Sequence, residues 1–394
     1  MSEDAQAKIS GLQTKGLLVG VVGLVGAAAA WATDPEQFYH SYLSAYLYWI
    51  AIALGCLGWT MIHHVTQGPW GVPVRRIWES GARVMPLMAV FFIPIVMGMD
   101  SLFSWYTPDP EDQLIAAKVA YLNPSFFYIR AALYFAIWIG FAYLLTSISY
   151  KQDEDAIQPY FTRMRVISGP GLLAMALTVT FMSVDWAMSV DPHWFSTIFG
   201  FLFAASDLLA AMAFTILIIK SLENVEPLKK LMHVGHWHDY GNWLMATTML
   251  WAYLSFSQFL IIWSGNTQEE APWYKERMGE GWIVLSLVLI VFHFALPFVT
   301  LLTRKTKRAK NILWKIAAYM LVMRYLDLYW IIQPSFLHGH APHWGSIWMD
   351  LAILAGIGGM FLAFFAMNLK AKALAPQQDP RFKEALLEGA GGHH

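Results

Sequence analysis

The strongest constraint on this chain is a recurrence of long apolar segments separated by polar breaks. Over half of its 394 residues are hydrophobic (57%) and 13% are charged, which leaves no polar stretch to cover a soluble domain. Each segment is long enough to cross about 30 Å of hydrocarbon, where open backbone groups stay unsatisfied, so helices are predicted rather than strands. The sequence therefore predicts an all-α integral membrane protein with ten transmembrane helices, at residues 16–32, 39–63, 84–105, 125–148, 166–190, 195–219, 242–264, 281–303, 311–332 and 346–369.

The basic residues predict the orientation of these helices. Between the segments, only Lys118, Lys275 and Arg277 fall on one side. The other side carries Lys8, Lys15, Arg75, Arg76, Arg83, Lys151, Arg163, Arg165, Lys220, Lys229, Lys230, Arg304, Lys305, Lys307, Arg308, Lys310 and four residues of the tail. This positive-inside bias predicts that both termini are cytoplasmic, with residues 370–394 as a peripheral cytoplasmic tail. We interpret residues 16–32 as a mature helix rather than a signal peptide.

An internal repeat is visible between the fifth and ninth segments. Arg163, Arg165, Asp185 and Pro192 pair at one constant offset with Lys305, Lys307, Asp327 and Pro334. Repeats four helices apart keep the same orientation in the membrane. The pattern predicts one polytopic domain over residues 1–394, made of two parallel four-helix bundles (39–190 and 195–332), with 16–32 and 346–369 as flanking helices.

Ionisable residues inside membrane spans are costly and are functional candidates by default. In the outer third, His40, Asp100, Arg130 and Asp185 are candidates for a pocket that binds a quinol head group. Quinol oxidation releases protons, so we select Asp185 as the acceptor and His40 or Arg130 as hydrogen-bond donors. The competing interpretation is that such groups form pairs that hold the bundles together or reach the membrane interface. Arg324 and Asp327, three residues apart on one helix face, would then simply satisfy each other.

A second group of ionisable residues suggests a route for protons. Asp207 and His293 fall near the predicted midplane, with Arg324 and Asp327 towards the outside and His63 and His64 at the inner boundary. If they face one bundle interior, these residues form steps of a proton relay. The alternative to a relay is a structural role for each residue. A lone histidine at the midplane is more often a hydrogen-bonded core residue, and residues at the membrane boundary reach water without a special function.

The sequence predicts no redox metal held by this chain. Cys56 is the only cysteine, so iron–sulfur clusters and thiolate zinc sites are excluded. A haem with two histidine ligands needs them at one depth, but His40, His63 and His293 fall at three different depths. The group His233, His236, His238 and Asp239 has the composition of a metal site, and a solvated loop is its favoured interpretation. The nearly balanced net charge of −1 gives no sign of nucleic-acid binding.

Several motifs resemble those of the NrfD/polysulfide-reductase membrane-subunit family. They are SVDWAMSVDPHWFSTIFG from Ser183 to Gly200, the Gly241-Asn-Trp triplet with WAYLSFSQFLIIWSGN from Trp251 to Asn266, Phe38-Tyr-His-Ser-Tyr, and Pro272-Trp-Tyr. The likeness covers essentially the whole chain, and it is strongest to the ActF branch in bacterial alternative complex III, a quinol:cytochrome c oxidoreductase.

The resemblance implies a fold of two four-helix bundles and a place in a hetero-oligomeric complex of the bacterial inner membrane. Its partners would be a paralogous ten-helix subunit, an iron–sulfur subunit and haem c subunits, so the haems and clusters would lie outside this chain. Menaquinol or ubiquinol would be the substrate of the complex, and the chain would contribute to quinol interaction, proton translocation or both. The alternatives are a secondary transporter, because repeats with midplane acids also suit alternating access, and a purely structural anchor subunit.

Overall fold

The computed structural model describes residues 2–155, 160–279, 281–341 and 344–390, and the described chain is helical, without strands. The last four residues of the predicted tail lie outside these ranges. The helices are α1 (Glu3–Thr33), α2 (Pro35–Thr66), α3 (Arg75–Ala82), α4 (Met85–Phe91), α5 (Ile93–Met97), α6 (Met99–Leu102), α7 (Gln113–Lys118), α8 (Pro124–Glu154), α9 (Tyr160–Trp186), α10 (Phe199–Leu222), α11 (Leu228–Leu231), α12 (Val234–Gly265), α13 (Ala271–Arg277), α14 (Trp282–Val288), α15 (Leu296–Leu302), α16 (Arg304–Arg308), α17 (Lys310–Phe336), α18 (Ile347–Lys370) and α19 (Phe382–Ala390).

Within the described ranges, nine helical segments are long and apolar enough to cross a membrane. They match nine of the ten predicted spans. The remaining prediction, 311–332, falls on α17, which forms as a helix of 27 residues but is not among those nine. Arg324 and Asp327, both buried, interrupt its apolar sequence.

The third and eighth predicted spans are not continuous α-helices. The third divides into α3 to α6, and Pro86 and Pro94 stand in the first turns of α4 and α5, where a missing N–H is tolerated. In the eighth, a π-helical segment, Leu289–Ala295, joins α14 to α15. Pro297 follows it and cannot donate to the carbonyl of His293, which explains why the turn before it relaxes into wider hydrogen bonding.

The two most enclosed long helices are α2 and α10, which pack against each other at the centre of the fold. Gly55 permits this contact, because a Cβ atom there would lie 2.0 Å from the carbonyl oxygen of Asp207. Helix α10 also packs on α9, α12 and α17. The central crossing therefore fixes the position of Asp207 relative to the helices around it.

The two predicted flanking helices, α1 and α18, pack against each other along glycines. A Cβ atom on Gly23 would lie 2.3 Å from the backbone nitrogen of Gly356, and one on Gly359 would lie 2.1 Å from that of Gly20. Small residues let two helix backbones approach closely, as is common between membrane helices. Leu18, Val22 and Val25 point away from this contact and are exposed.

Candidate functional site

Five side chains from four helical segments meet inside the part of the fold built by α10, α12, α17 and the π-helical segment. We name them the interior cluster: Asp207, Trp251, His293, Arg324 and Asp327. The predicted pairing of Arg324 with Asp327 is confirmed, with 2.6 Å between Arg324 Nη1 and Asp327 Oδ2. Trp251 Nε1 donates to the same carboxylate oxygen at 3.1 Å. Asp327 is therefore a buried carboxylate with a charged and a neutral donor.

His293 belongs to this cluster through its ring. The imidazole stacks on the indole of Trp251, with 4.1 Å between ring centroids and 17° between ring planes. It is fully buried, and within the described residues neither of its ring nitrogens has a hydrogen-bond partner. Single π-helical turns inside α-helices are frequent at functional sites. His293 lies in such a segment, and both of its ring nitrogens lack a partner among the described residues, so we treat it as a candidate functional residue.

Asp207 is the second unpartnered group in the cluster. It is 1% exposed, and neither carboxylate oxygen finds a donor among the residues the structure describes. The positive charge of Arg324 acts on both Asp207 and His293, so the three groups form one electrostatic unit. A buried polar group without a partner costs free energy, so such a group calls for an explanation beyond packing.

The predicted quinol pocket has a different geometry, because Arg130 and Asp185 form a bidentate ion pair. Arg130 Nε and Nη2 donate to the two oxygens of Asp185 at 2.8 and 2.9 Å, and the Tyr134 hydroxyl donates at 2.7 Å. The guanidinium lies 3.9 Å from the ring centroid of Tyr121. Of the two predicted donors, Arg130 therefore reaches Asp185. The arrangement joins α8 to α9 with its hydrogen bonds satisfied.

His40 and Asp100 do not join that pair. His40 Nε2 donates to the carbonyl of Ser101 at 3.2 Å, and its ring stacks on Phe336 at 3.9 Å. Asp100, on α6, is exposed. The structure thus divides the four predicted pocket residues into an ion pair, a packed histidine and a surface carboxylate.

A groove of about 490 Å³ lies at the C-terminal end of α12, against α13. None of the predicted pocket residues lines it. Its walls are Phe259, Ile262, Trp263, Asn266, Ala271, Tyr274, Lys275 and Met278. It is large enough for a small ligand by the usual size of such sites, and it combines aromatic walls with a few polar groups.

His63 and His64 are more buried than the sequence predicts. We expected these histidines to lie at the inner boundary of the membrane, where water reaches them easily. Both rings are instead buried, and His64 Nδ1 lies 3.2 Å from Ser168 Oγ. Arg381, from the tail, reaches His63 with 3.3 Å between Nη1 and Nε2. The histidines belong to a buried ionic cluster and are not in contact with the interior cluster.

This cluster, which we name the basic-end network, was missed at the sequence level. Glu79 pairs with both Arg75 and Arg76, Arg76 also pairs with Asp153, and Asp379 of the tail pairs with Arg75. The Arg-Arg-x-x-Glu spacing was a local signal, since residues three and four apart on a helix are neighbours. Its link to the tail depends on the three-dimensional fold and left no such signal.

Arg277 is another arginine whose burial was not predicted from the sequence. It donates to the carbonyls of Trp273 and Ile331 at 2.8 and 2.5 Å, and its guanidinium lies 3.4 Å from the ring centroid of Trp273. Burial lowers the pKa of Arg277, and the nearby carboxylate of Glu276 opposes that shift. These contacts fasten α13 to α17.

The histidine-rich segment 233–239 does not assemble into a metal centre in the described part of the chain, where no group of three metal-ligating side chains occurs. His233 precedes α12, and its Nδ1 accepts from the backbone N–H of Gly235 at 3.2 Å. The ring of His236 is buried 3.9 Å from that of His233, contrary to the solvated loop that we expected. The segment caps and packs the start of α12.

No protein-family model and no curated protein matches this sequence.

Proposed function

We propose that this chain is a membrane subunit of a quinol:electron-acceptor oxidoreductase of the alternative complex III type, and that its interior cluster moves protons. The observation that carries the proposal is a pair of buried groups, Asp207 and His293, that have no hydrogen-bond partner in the described part of the chain. They lie beside the ion pair of Arg324 and Asp327. Ionisable groups in that setting typically mark proton relays in membrane proteins. The assignment to a quinol-oxidising complex rests on the resemblance of the motifs at Ser183–Gly200 and Trp251–Asn266 to ActF subunits.

In this proposal α17, the ninth predicted segment, also crosses the membrane and brings the number of spans to ten. At about 1.5 Å per residue its 27 residues reach about 40 Å, longer than the hydrocarbon core. Its lower apolarity then follows from Arg324 and Asp327, which face the interior rather than lipid. The termini are cytoplasmic, and the two four-helix bundles keep the predicted boundaries.

Electron transfer is assigned to partner subunits. Iron–sulfur and haem c subunits and a paralogous ten-helix subunit would oxidise menaquinol or ubiquinol beside this chain in the bacterial inner membrane. The Arg130–Asp185 pair is assigned to holding α8 against α9, because a carboxylate clamped by a guanidinium and a tyrosine hydroxyl must break that pairing to accept a proton. This assignment replaces Asp185 as the proton acceptor in our proposal.

A secondary transporter is less well supported. Transporters typically interrupt helices at corresponding positions of their repeats. Here the interruptions lie in the third and eighth predicted spans, which do not correspond, and the span that matches the third, α12, is continuous over 32 residues. Pro170 lies within α9 without ending it.

Purification from native membranes tests the proposed complex. We expect a chain tagged at its N-terminus, extracted in mild detergent, to bring with it haem c and iron–sulfur subunits in fixed proportion. We also expect the preparation to reduce cytochrome c with added quinol. A colourless chain that purifies alone and supports solute flux in proteoliposomes would contradict the proposal and favour a transporter.

A further inference from the structure

We expected the C-terminal segment to be peripheral, and this prediction is wrong. Residues 371–390 fold back onto the ends of the helices that carry the basic residues. Leu374 and Ala375 are buried, and Asp379 and Arg381 are 3% and 5% exposed. Helix α19 packs on α11, on the start of α12 and on the short turn Pro69–Gly71. The segment therefore covers loops from both predicted bundles.

An apolar contact anchors this segment. Ala375 and Ala385 pack with Val72 and Leu231 in a small core of their own, and Phe382 and Leu386 lie against it. This core is separate from the main one and is much smaller. Regions with few buried apolar contacts are those that open at low free-energy cost.

A polar contact seals the centre of the same segment. Asp379 Oδ2 lies 2.5 Å from Arg75 Nη1, and Arg381 Nε and Nη2 donate back to Asp379 at 2.9 and 2.8 Å. Arg381 also reaches His63 and lies over the ring of Phe161. Directly beneath are His63 and the His64–Ser168 contact.

The positive and negative charges of the basic-end network are equal in number whether or not segment 371–390 is in place. With it, the guanidinium groups of Arg75, Arg76 and Arg381 face the carboxylates of Glu79, Asp153 and Asp379. Its departure removes one group of each sign and leaves the other four paired. A charge left unpaired in a buried site is strongly destabilising, and this arrangement avoids that penalty on opening.

We propose that residues 371–390 form a lid over the basic end of the first predicted bundle and control the access of water to His63 and His64. Lid closure stands on the contacts above, and only its use in proton traffic rests on the proposed function. Burial raises the pKa of Asp379, but the hydrogen bonds from Arg381 and the charge of Arg75 outweigh it, so the pKa lies well below its usual range. The contribution of Asp379 is therefore present above the unfolded-state pKa and lost only in strong acid.

Cysteine accessibility tests the lid, because Cys56→Ala gives a parent free of cysteine. Ser168→Cys in that parent reports access to His64, and Ser221→Cys, at the exposed end of α10, is the open reference. In inside-out vesicles with a membrane-impermeant maleimide, we expect Ser168→Cys to react at least about tenfold more slowly than the reference, as for a locally closed site. Asp379→Asn and truncation after Lys370 should each remove most of this difference. Lys372→Gln should not, because it removes only the exposed pair with Glu154 and a contact with the ring of Tyr150.

Two results would overturn the lid: fast labelling of Ser168→Cys with the segment intact, or slow labelling that persists after truncation. Size-exclusion profiles and an unchanged rate at Ser221→Cys establish that each variant is folded. Trypsin cleavage after Lys383 gives a second readout, with Asp379→Asn expected to be cut faster. Labelling needs no turnover, so its outcome does not depend on the chain belonging to a quinol-oxidising complex.

Discussion

Arg130→Met is expected to destabilise the fold by about 3–5 kcal/mol, because it leaves the Asp185 carboxylate buried without its counter-ion. Both oxygens of Asp185 accept from Arg130, and the remaining donor, the Tyr134 hydroxyl, is neutral. The effect is measurable as the loss of free energy of unfolding in a detergent titration.

The matched control is the double variant Arg130→Met with Asp185→Asn. Removing both charges leaves no unpaired ion, so we expect the double variant to recover a large part of the lost stability. If the single and double variants unfold at the same point, the pair does not act as a buried staple between α8 and α9. Asp185 would then return as the candidate for the proton acceptor.

Gly55→Val is the second substitution with a large expected effect. Its Cβ atom would lie 2.0 Å from the carbonyl oxygen of Asp207 and 2.6 Å from the Cβ of Ala211. The first of these neighbours is a backbone atom, which cannot move away by a rotamer change. Helices α2 and α10 must therefore separate along their contact. We expect a loss on the order of 3 kcal/mol or more, at or above the upper end for overpacked cores, seen as a lower thermal midpoint and a poor yield of folded protein.

Gly140→Val on α8 provides the comparison. No atom beyond its own helix lies within 4 Å of a Cβ atom at that position. The two substitutions share the change in helix propensity and differ in the space available. Equal stability of the two variants would show that α2 and α10 do not touch as described.

The sequence predicted most of the helices because membrane insertion depends on local apolarity. The pair Arg324–Asp327 was also predictable, because residues three apart in a helix lie on one face. The interruptions within the third and eighth spans could not be predicted, because a proline alone does not show whether a helix breaks, kinks or becomes π-helical. Pro170 leaves α9 continuous, whereas Pro297 follows a π-helical segment.

Contacts between distant segments account for what sequence reasoning missed. Asp379 is 304 residues from its partner Arg75 in the chain, so no local pattern could relate them. His40 was grouped with Asp185 by depth alone, but its direction on α2 takes it to Ser101 and Phe336. Depth in the membrane can be estimated from hydropathy, while the facing direction of a side chain requires the packing of the helices.

The proton-to-electron ratio of the proposed complex, purified and reconstituted in vesicles, tests the proposed role of the interior cluster most directly. Asp350→Asn and His236→Gln are matched controls, since each replaces a buried titratable group outside the cluster with a neutral amide. Proton movement through the cluster predicts that Asp207→Asn and His293→Gln each lower the ratio while quinol oxidation and assembly continue, and that the controls keep the original ratio. An unchanged ratio in both cluster variants would contradict it.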